Sequence, residues 1–185
     1  MTSGSTAAAG EPGDRVLAVR ARGGDRAAFA VLVQRYQRRL FALGLRYFRN
    51  DADADDLVQE TFLRAWRALD RFDETRPFAP WLFRIGVHWA LTQLETRKRR
   101  SPEELTDDLR WHGPSPEEHT EMSRTRREVN RAVGELPEEQ RVILHLRVVE
   151  GMSYREIAET LEVPVGTVMS RLGRARETLR RKVNR

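Results

Sequence analysis

Five acids, Asp51, Asp53, Asp55, Asp56 and Glu60, fall within ten consecutive residues. Carboxylates at that density can ligate a hard cation, favour a helix start or meet a basic partner. Asp51, Asp53 and Asp55 match part of a calcium-loop pattern, but the glycine and the bidentate glutamate of such a loop are out of register. That leaves acids near the positive end of a helix dipole, or an acidic surface for a basic protein. His88, His112, His119 and His145 have no metal-ligand spacing, and no Ser/His/Asp order or glycine-rich phosphate loop is apparent. The expectation is no catalytic site, no metal, no cofactor and no small-molecule substrate.

Two basic clusters suggest nucleic acid instead. Arg97-Lys98-Arg99-Arg100 follows Trp81, Phe83, His88 and Trp89. Bases neutralise phosphates and rings stack on unpaired bases, so this combination suits a DNA strand being separated. Trp81, Leu82, Ile85 and Trp89 also have core spacing, which would put most of these rings inside. The second cluster follows Pro164: Arg171, Arg174, Arg176, Arg180, Arg181, Lys182 and Arg185 oppose only Glu177, a net of +6. It belongs to a helix-turn-helix pattern, Tyr154 to Leu161 and then Val165 to about Leu179, separated by Glu162-Val163-Pro164. Ile157, Ala158, Leu161, Val168 and Leu172 would face inward, leaving Thr167, Ser170, Arg171, Arg174 and Arg176 to a major groove. A merely solvated cationic face is the bland alternative; turn, core spacing and basic second helix together favour DNA.

The elements that must position these groups read as helices. Phe29, Leu32, Val33, Tyr36, Leu40, Leu43, Gly44 and Tyr47 mark one long amphipathic helix. A break at Arg49-Asn50-Asp51 precedes a second, Asp53 to Leu69, with Leu57, Thr61, Phe62, Ala65 and Leu69 inside. Pro77 and Pro80 lead into a third, about Trp81 to Arg97. Leu136-Pro137-Glu138-Glu139 opens another, with Val142, Ile143, Leu146 and Val149 as its buried stripe. Ser153 and Glu156 then form a capping box for the first helix of the helix-turn-helix. Between these groups, Ser101 to Glu121 has seven acids against Arg110, a net of −6, and few apolar residues, which predicts an extended linker.

The expected fold is therefore all-α: a flexible tail over 1–14, a helical domain over 15–100, a flexible acidic linker over 101–121 and a helix-turn-helix domain over 122–185. The composition agrees. The 185 residues hold 33 Lys+Arg and 28 Asp+Glu, a formal charge of +5, with 39% hydrophobic residues. That length excludes a large multi-domain enzyme. No segment approaches the ~18 apolar residues of a membrane span, and the absence of cysteine removes disulfides and thiolate sites. A cytoplasmic location is expected.

Three blocks together resemble an extracytoplasmic-function (ECF) sigma factor of bacterial RNA polymerase: Asp53-Ala54-Asp55-Asp56-Leu57-Val58-Gln59-Glu60-Thr61-Phe62-Leu63-Arg64-Ala65-Trp66, Phe78-Ala79-Pro80-Trp81-Leu82-Phe83-Arg84-Ile85, and the helix-turn-helix with Gly166-Thr167-Val168-Met169-Ser170-Arg171. The resemblance runs in order from about Arg15 to Lys182. It implies an initiation factor without enzymatic activity, whose partners are core polymerase, promoter DNA and an anti-sigma protein, often membrane-anchored in that family. Asp55, Asp56, Gln59 and Glu60, with Arg64 nearby, would dock on the polymerase clamp.

The resemblance further implies that Asp70, Arg71, Phe72, Arg76, Phe78, Trp81, Arg84, His88, Arg97, Lys98, Arg99 and Arg100 serve the downstream (minus-ten) element, where a flipped base is held. Tyr154, Arg155, Pro164, Val165, Gly166, Thr167, Ser170, Arg171, Arg174 and Arg176 would serve the upstream (minus-thirty-five) element. His88 stands where many relatives have asparagine, and Met169 where a basic or polar residue is frequent. A free-standing helix-turn-helix regulator with an N-terminal sensing domain is the alternative reading.

Overall fold

The computed structural model describes residues 12–100 and 124–183. Residues 1–11, most of the expected tail, lie outside the described residues, as do the acidic segment 101–121, residues 122–123 and residues 184–185. Four helices and a short 3-10 turn precede the acidic segment: α1 (Asp14–Arg22), α2 (Arg26–Phe48), α3 (Asp51–Ala68), the turn Leu69–Arg71 and α4 (Phe78–Arg100). Four more follow it: α5 (Arg124–Gly134), α6 (Glu138–Val148), α7 (Tyr154–Leu161) and α8 (Val165–Val183). The chain is all-α.

Polar side chains at the predicted breaks fix the boundaries. Asp25 accepts from the Ala28 amide at 3.0 Å and starts α2, and Asn50 accepts from the Asp53 amide at 2.9 Å and starts α3. Ser153 and Glu156 form the expected capping box, at 3.2 and 2.7 Å. Arg49 and Glu162 close α2 and α7 at φ 61° and 54°, a left-handed conformation unusual for residues with a Cβ.

Helix crossings explain two small residues. A Cβ on Gly44 would stand 2.7 Å from the Ala54 Cα, so α2 and α3 touch backbone to backbone there. A Cβ on Gly86 would lie 2.9 Å from Thr61 Oγ1, which sets the approach of α4 to α3. Around these crossings Leu32, Leu40, Leu43, Leu57, Leu82 and Phe83 are fully buried.

Several boundaries move. The second helix of the first half begins at Asp51 rather than Asp53, and the next at Phe78 rather than Trp81, because Pro80 still falls in a first turn, where it sacrifices no helical hydrogen bond. The last helix continues to Val183, beyond Leu179. Val149 was expected in the buried stripe of α6, but the helix ends at Val148 and Val149 is 59% exposed. Trp81 and Ile85 are half-buried rather than interior.

The two helical domains pack on each other. Val142, Ile143, Leu146, Met152, Ile157 and Val168 continue the buried cluster of Leu40 and Phe83 without a break, with α6 lying along α2 and α7 along α4. Polar groups seal the contact. Arg141, buried on α6, donates from Nε to the Arg46 carbonyl at 2.8 Å and from Nη1 to the Leu136 carbonyl at 2.8 Å. Burial pulls its guanidinium down to about 10, with the neighbouring cation Arg49 acting in the same sense. Arg49 donates to the Gly134 carbonyl at 3.1 Å.

Candidate nucleic-acid interface

The acidic helix start exposes one face of α3. Asp55, Asp56 and Gln59 are exposed, Glu60 is half-buried, and Arg64 donates to Glu60 at 3.0 Å. Asp53 is turned away. It pairs with Arg97 at the far end of α4, and that hydrogen bond holds its carboxyl below the ordinary aspartate value, with burial opposing. The same face continues through Leu63 and Trp66, 51% and 38% exposed, and the Trp66 ring stands edge-on to Phe29 at 4.9 Å. Sequence reading missed this pair, although both fall outside the inner stripe Leu57, Thr61, Phe62, Ala65 and Leu69.

The loop before α4 separates its rings from its charges. Phe72 and Phe78 are buried and meet edge-to-face at 5.5 Å, so in this arrangement they shape the loop and do not present a surface. Trp81, half-buried, leans on both at 5.1 and 5.4 Å. Asp70, Arg71, Arg76, Arg84 and His88 are exposed. Lys98 and Arg99 are exposed at the end of α4, with Arg99 3.5 Å from Glu95; the Arg100 side chain lies outside the described residues.

Three of these exposed side chains, Arg76, Arg84 and His88, face carboxylates of α7 and its C-terminal cap. Arg76 donates to Glu159 at 3.0 Å and Arg84 to Glu162 at 2.8 Å, and His88 Nε2 lies 3.4 Å from the same Glu162 carboxylate. Arg84, then His88, hold the Glu162 carboxyl below the ordinary glutamate value. A cleft between α4 and α7 is lined by Arg76, Trp81, Arg84, Glu159 and Thr160.

On the helix-turn-helix, Arg155, Pro164, Val165, Gly166, Ser170, Arg174 and Arg176 are exposed and Thr167 is half-buried. Arg171 pairs with Glu139 of α6 at 2.8 Å, and Tyr154 lies 5.2 Å beneath the Arg147 guanidinium and accepts from Arg176 at 3.4 Å. Among the described residues, no group of three or more His, Cys, Asp or Glu could hold a metal, and no helix is long and apolar enough to cross a membrane.

Comparison with known proteins decides between the two readings of this arrangement. Residues 32–100 match the family model for Sigma-70 region 2, and residues 126–179 that for Sigma-70 region 4. The chain is 39% identical over 180 residues to the ECF RNA polymerase sigma-E factor of Salmonella typhimurium, covering 92% of this chain and 94% of the relative. The chain belongs to the ECF sigma factors. As such it is an RNA polymerase sigma factor that directs transcription initiation, in a family that is not enzymatic.

Two solved structures have the same fold. CnrH, in complex with the cytosolic domain of CnrY, is 31% identical with a TM-score of 0.64, covering 92% of the sigma factor and 97% of CnrH. The sigma factor RpoE of Bartonella quintana, in complex with the anti-sigma factor NepR, is 24% identical with a TM-score of 0.70, covering 84% and 96%.

Proposed function

We propose that this sigma factor docks on core polymerase through the α3 face of Asp55, Asp56 and Gln59, with Glu60, Arg64, Leu63 and Trp66 around it. The loop from Asp70 and the α4 surface of Arg76, Trp81, Arg84 and His88 then hold the unpaired strand of the downstream element, while α8 enters the major groove of the upstream element. Residues 15–100 and 122–185 act as the two DNA-reading domains. The segment 101–121, at −6, follows a cationic path built for nucleic acid. The protein catalyses nothing itself. Unstacking a base costs a few kcal/mol, which pocket contacts can offset. It acts in the cytoplasm, with template and polymerase.

The observation that carries this reading is the pairing of Arg76, Arg84 and His88 with Glu159 and Glu162. Carboxylates of one DNA-reading domain stand where phosphates would meet the other, so the packed chain cannot present both surfaces at once. Polymerase separates them. A partner protein that holds the packed form would silence it, which is the role of an anti-sigma protein; the likeness to CnrH, solved in complex with the cytosolic domain of CnrY, supports such a partner.

Run-off transcription with core enzyme and a promoter library tests the assignment. Specific starts are expected only with both components present. Asp56→Lys combined with Gln59→Ala should weaken core binding while the helical circular-dichroism signal stays unchanged. Unaltered core affinity would remove α3 as the docking face.

A further inference from the structure

The N-terminal half of α8 has an unusual surface for a helix that reads base edges. Positions 165, 169, 176 and 180 fall on one side of an α-helix, and all four are exposed. Along that side the charge is divided: Arg176 and Arg180 occupy the later turns, whereas the first turns offer Val165 and Met169, 41% and 56% exposed. Few polar groups stand beside them. The Ser170 hydroxyl donates back to the Thr167 carbonyl at 3.0 Å, Thr167 is half-buried, and Arg171 is held by Glu139 at 2.8 Å.

Two glycines border the apolar pair. A Cβ on Gly166 or Gly173 would meet nothing within 4 Å, so packing within the chain requires neither glycine. A glycine inside a helix nevertheless costs roughly 0.5–1 kcal/mol relative to alanine. Their use here is to let a groove wall approach the helix closely. The cationic later turns supply phosphate contacts, which makes DNA the occupant of the whole face.

In the major groove the group that takes apolar contact is the thymine 5-methyl, whereas guanine is read by arginine or lysine and adenine by asparagine or glutamine. We propose that Met169, with Val165 beside it, is a specificity-determining contact that selects thymine in the upstream promoter element through the 5-methyl group. The inference rests on the assignment of α8 to that element, and it adds the base and the atom read.

The test uses holoenzyme assembled from the full chain and core polymerase, with a library randomised across the upstream element. Selected templates are expected to hold thymine at the position facing Met169. Replacing that thymine by deoxyuridine removes only the methyl and should weaken binding about fourfold, the worth of one buried methyl-sized group. Met169→Ala should lose the same factor on thymine and be insensitive to deoxyuridine, and Met169→Arg should shift the selection toward guanine. Selection of guanine by the unaltered protein, or indifference to deoxyuridine throughout the element, would overturn the inference while leaving the sigma assignment intact. Failure of any template to give a specific start would overturn both.

Discussion

Arg39 on α2 and Glu150, just past the end of α6, form an enclosed ion pair between the two helical domains. The Arg39 Nε donates to Glu150 Oε2 at 2.8 Å, and its Nη2 meets the same oxygen. The Glu150 side chain is fully buried, and His145 Nε2 lies 3.3 Å from its other oxygen. Arg39 is itself pinned, its guanidinium 4.6 Å over the Tyr36 ring and 5.6 Å over that of Phe83. Packing of the first domain therefore aims the cation at which the second domain closes.

Glu150→Gln should loosen this closure without unfolding either half. Removing the charge leaves Arg39 and a buried amide poorly matched, a loss of about 1–3 kcal/mol. The chain has no cysteine, so dyes on Arg67→Cys and Glu177→Cys, both exposed positions, report the distance between domains. The variant should show a larger open population at equal helicity. An unchanged distance distribution would mean that apolar packing alone holds the halves together.

Acid should open the same contact. Burial opposes ionisation of Glu150, yet the nearby His145 ring and the hydrogen bonds from Arg39 outweigh it and hold its carboxyl below the ordinary value of 4.5. A depressed carboxylate contributes stability that is present above 4.5 and lost as pH falls through the lowered value. Asp53 and Glu162 shift in the same direction, so the Glu150 share must be isolated. The difference in closure between the parent chain and Glu150→Gln should be full near about pH 7 and shrink below about pH 4. A difference that persists into acid would assign the effect to shape instead of charge.

The helices were legible because periodicity and caps are local. Leu32, Tyr36, Leu40 and Leu43 repeat on one face, and Ser153 with Glu156 announces a helix start. The candidate site was legible as residue types: the acids of α3, the cations of α4 and the basic α8 stand on helices in the expected order. What could not be read was their mutual arrangement. Arg141 and His145 look like solvent-facing residues of α6 until α2 is laid along them, and nothing near Arg84 in sequence foretells Glu162. Leu63 and Trp66 lie outside the inner stripe of α3, so their exposure was legible from the period, but nothing local marks them as part of a docking face.

Gly44 and Gly173 should respond in opposite ways to alanine. Alanine is a better helix former than glycine by about 1 kcal/mol. At Gly173 the added methyl meets open space, so Gly173→Ala should raise the thermal midpoint slightly. At Gly44 the methyl would come within 2.7 Å of the Ala54 Cα, a backbone atom that cannot rotate away. Spreading α2 from α3 costs about 1–3 kcal/mol, which exceeds the propensity gain, so Gly44→Ala should lower the midpoint by several degrees. Calorimetry on the two variants checks both signs; stabilisation at Gly44 would mean that the two helices are free to separate.

Glu159 and Glu162 should act as internal competitors of the downstream strand. Each exposed pair with Arg76 or Arg84 is worth at most about 1 kcal/mol and is screened by salt, so neutralising one acid would change little. Converting both to lysine does more: it removes two attractions and sets two cations against Arg76, Arg84 and the neighbouring His88. The isolated double variant should then bind a fluorescent single-stranded oligonucleotide about three- to tenfold more tightly than the parent at low salt. The added lysines could attract phosphate by themselves, so Glu159→Gln with Glu162→Gln is the control, expected to move the same way by a smaller factor. Adding Arg84→Ala to the lysine variant should remove most of the gain, because the surface being uncovered is then missing. A gain that survives Arg84→Ala would place the oligonucleotide on α7 instead of α4, and the two acids would have no masking role.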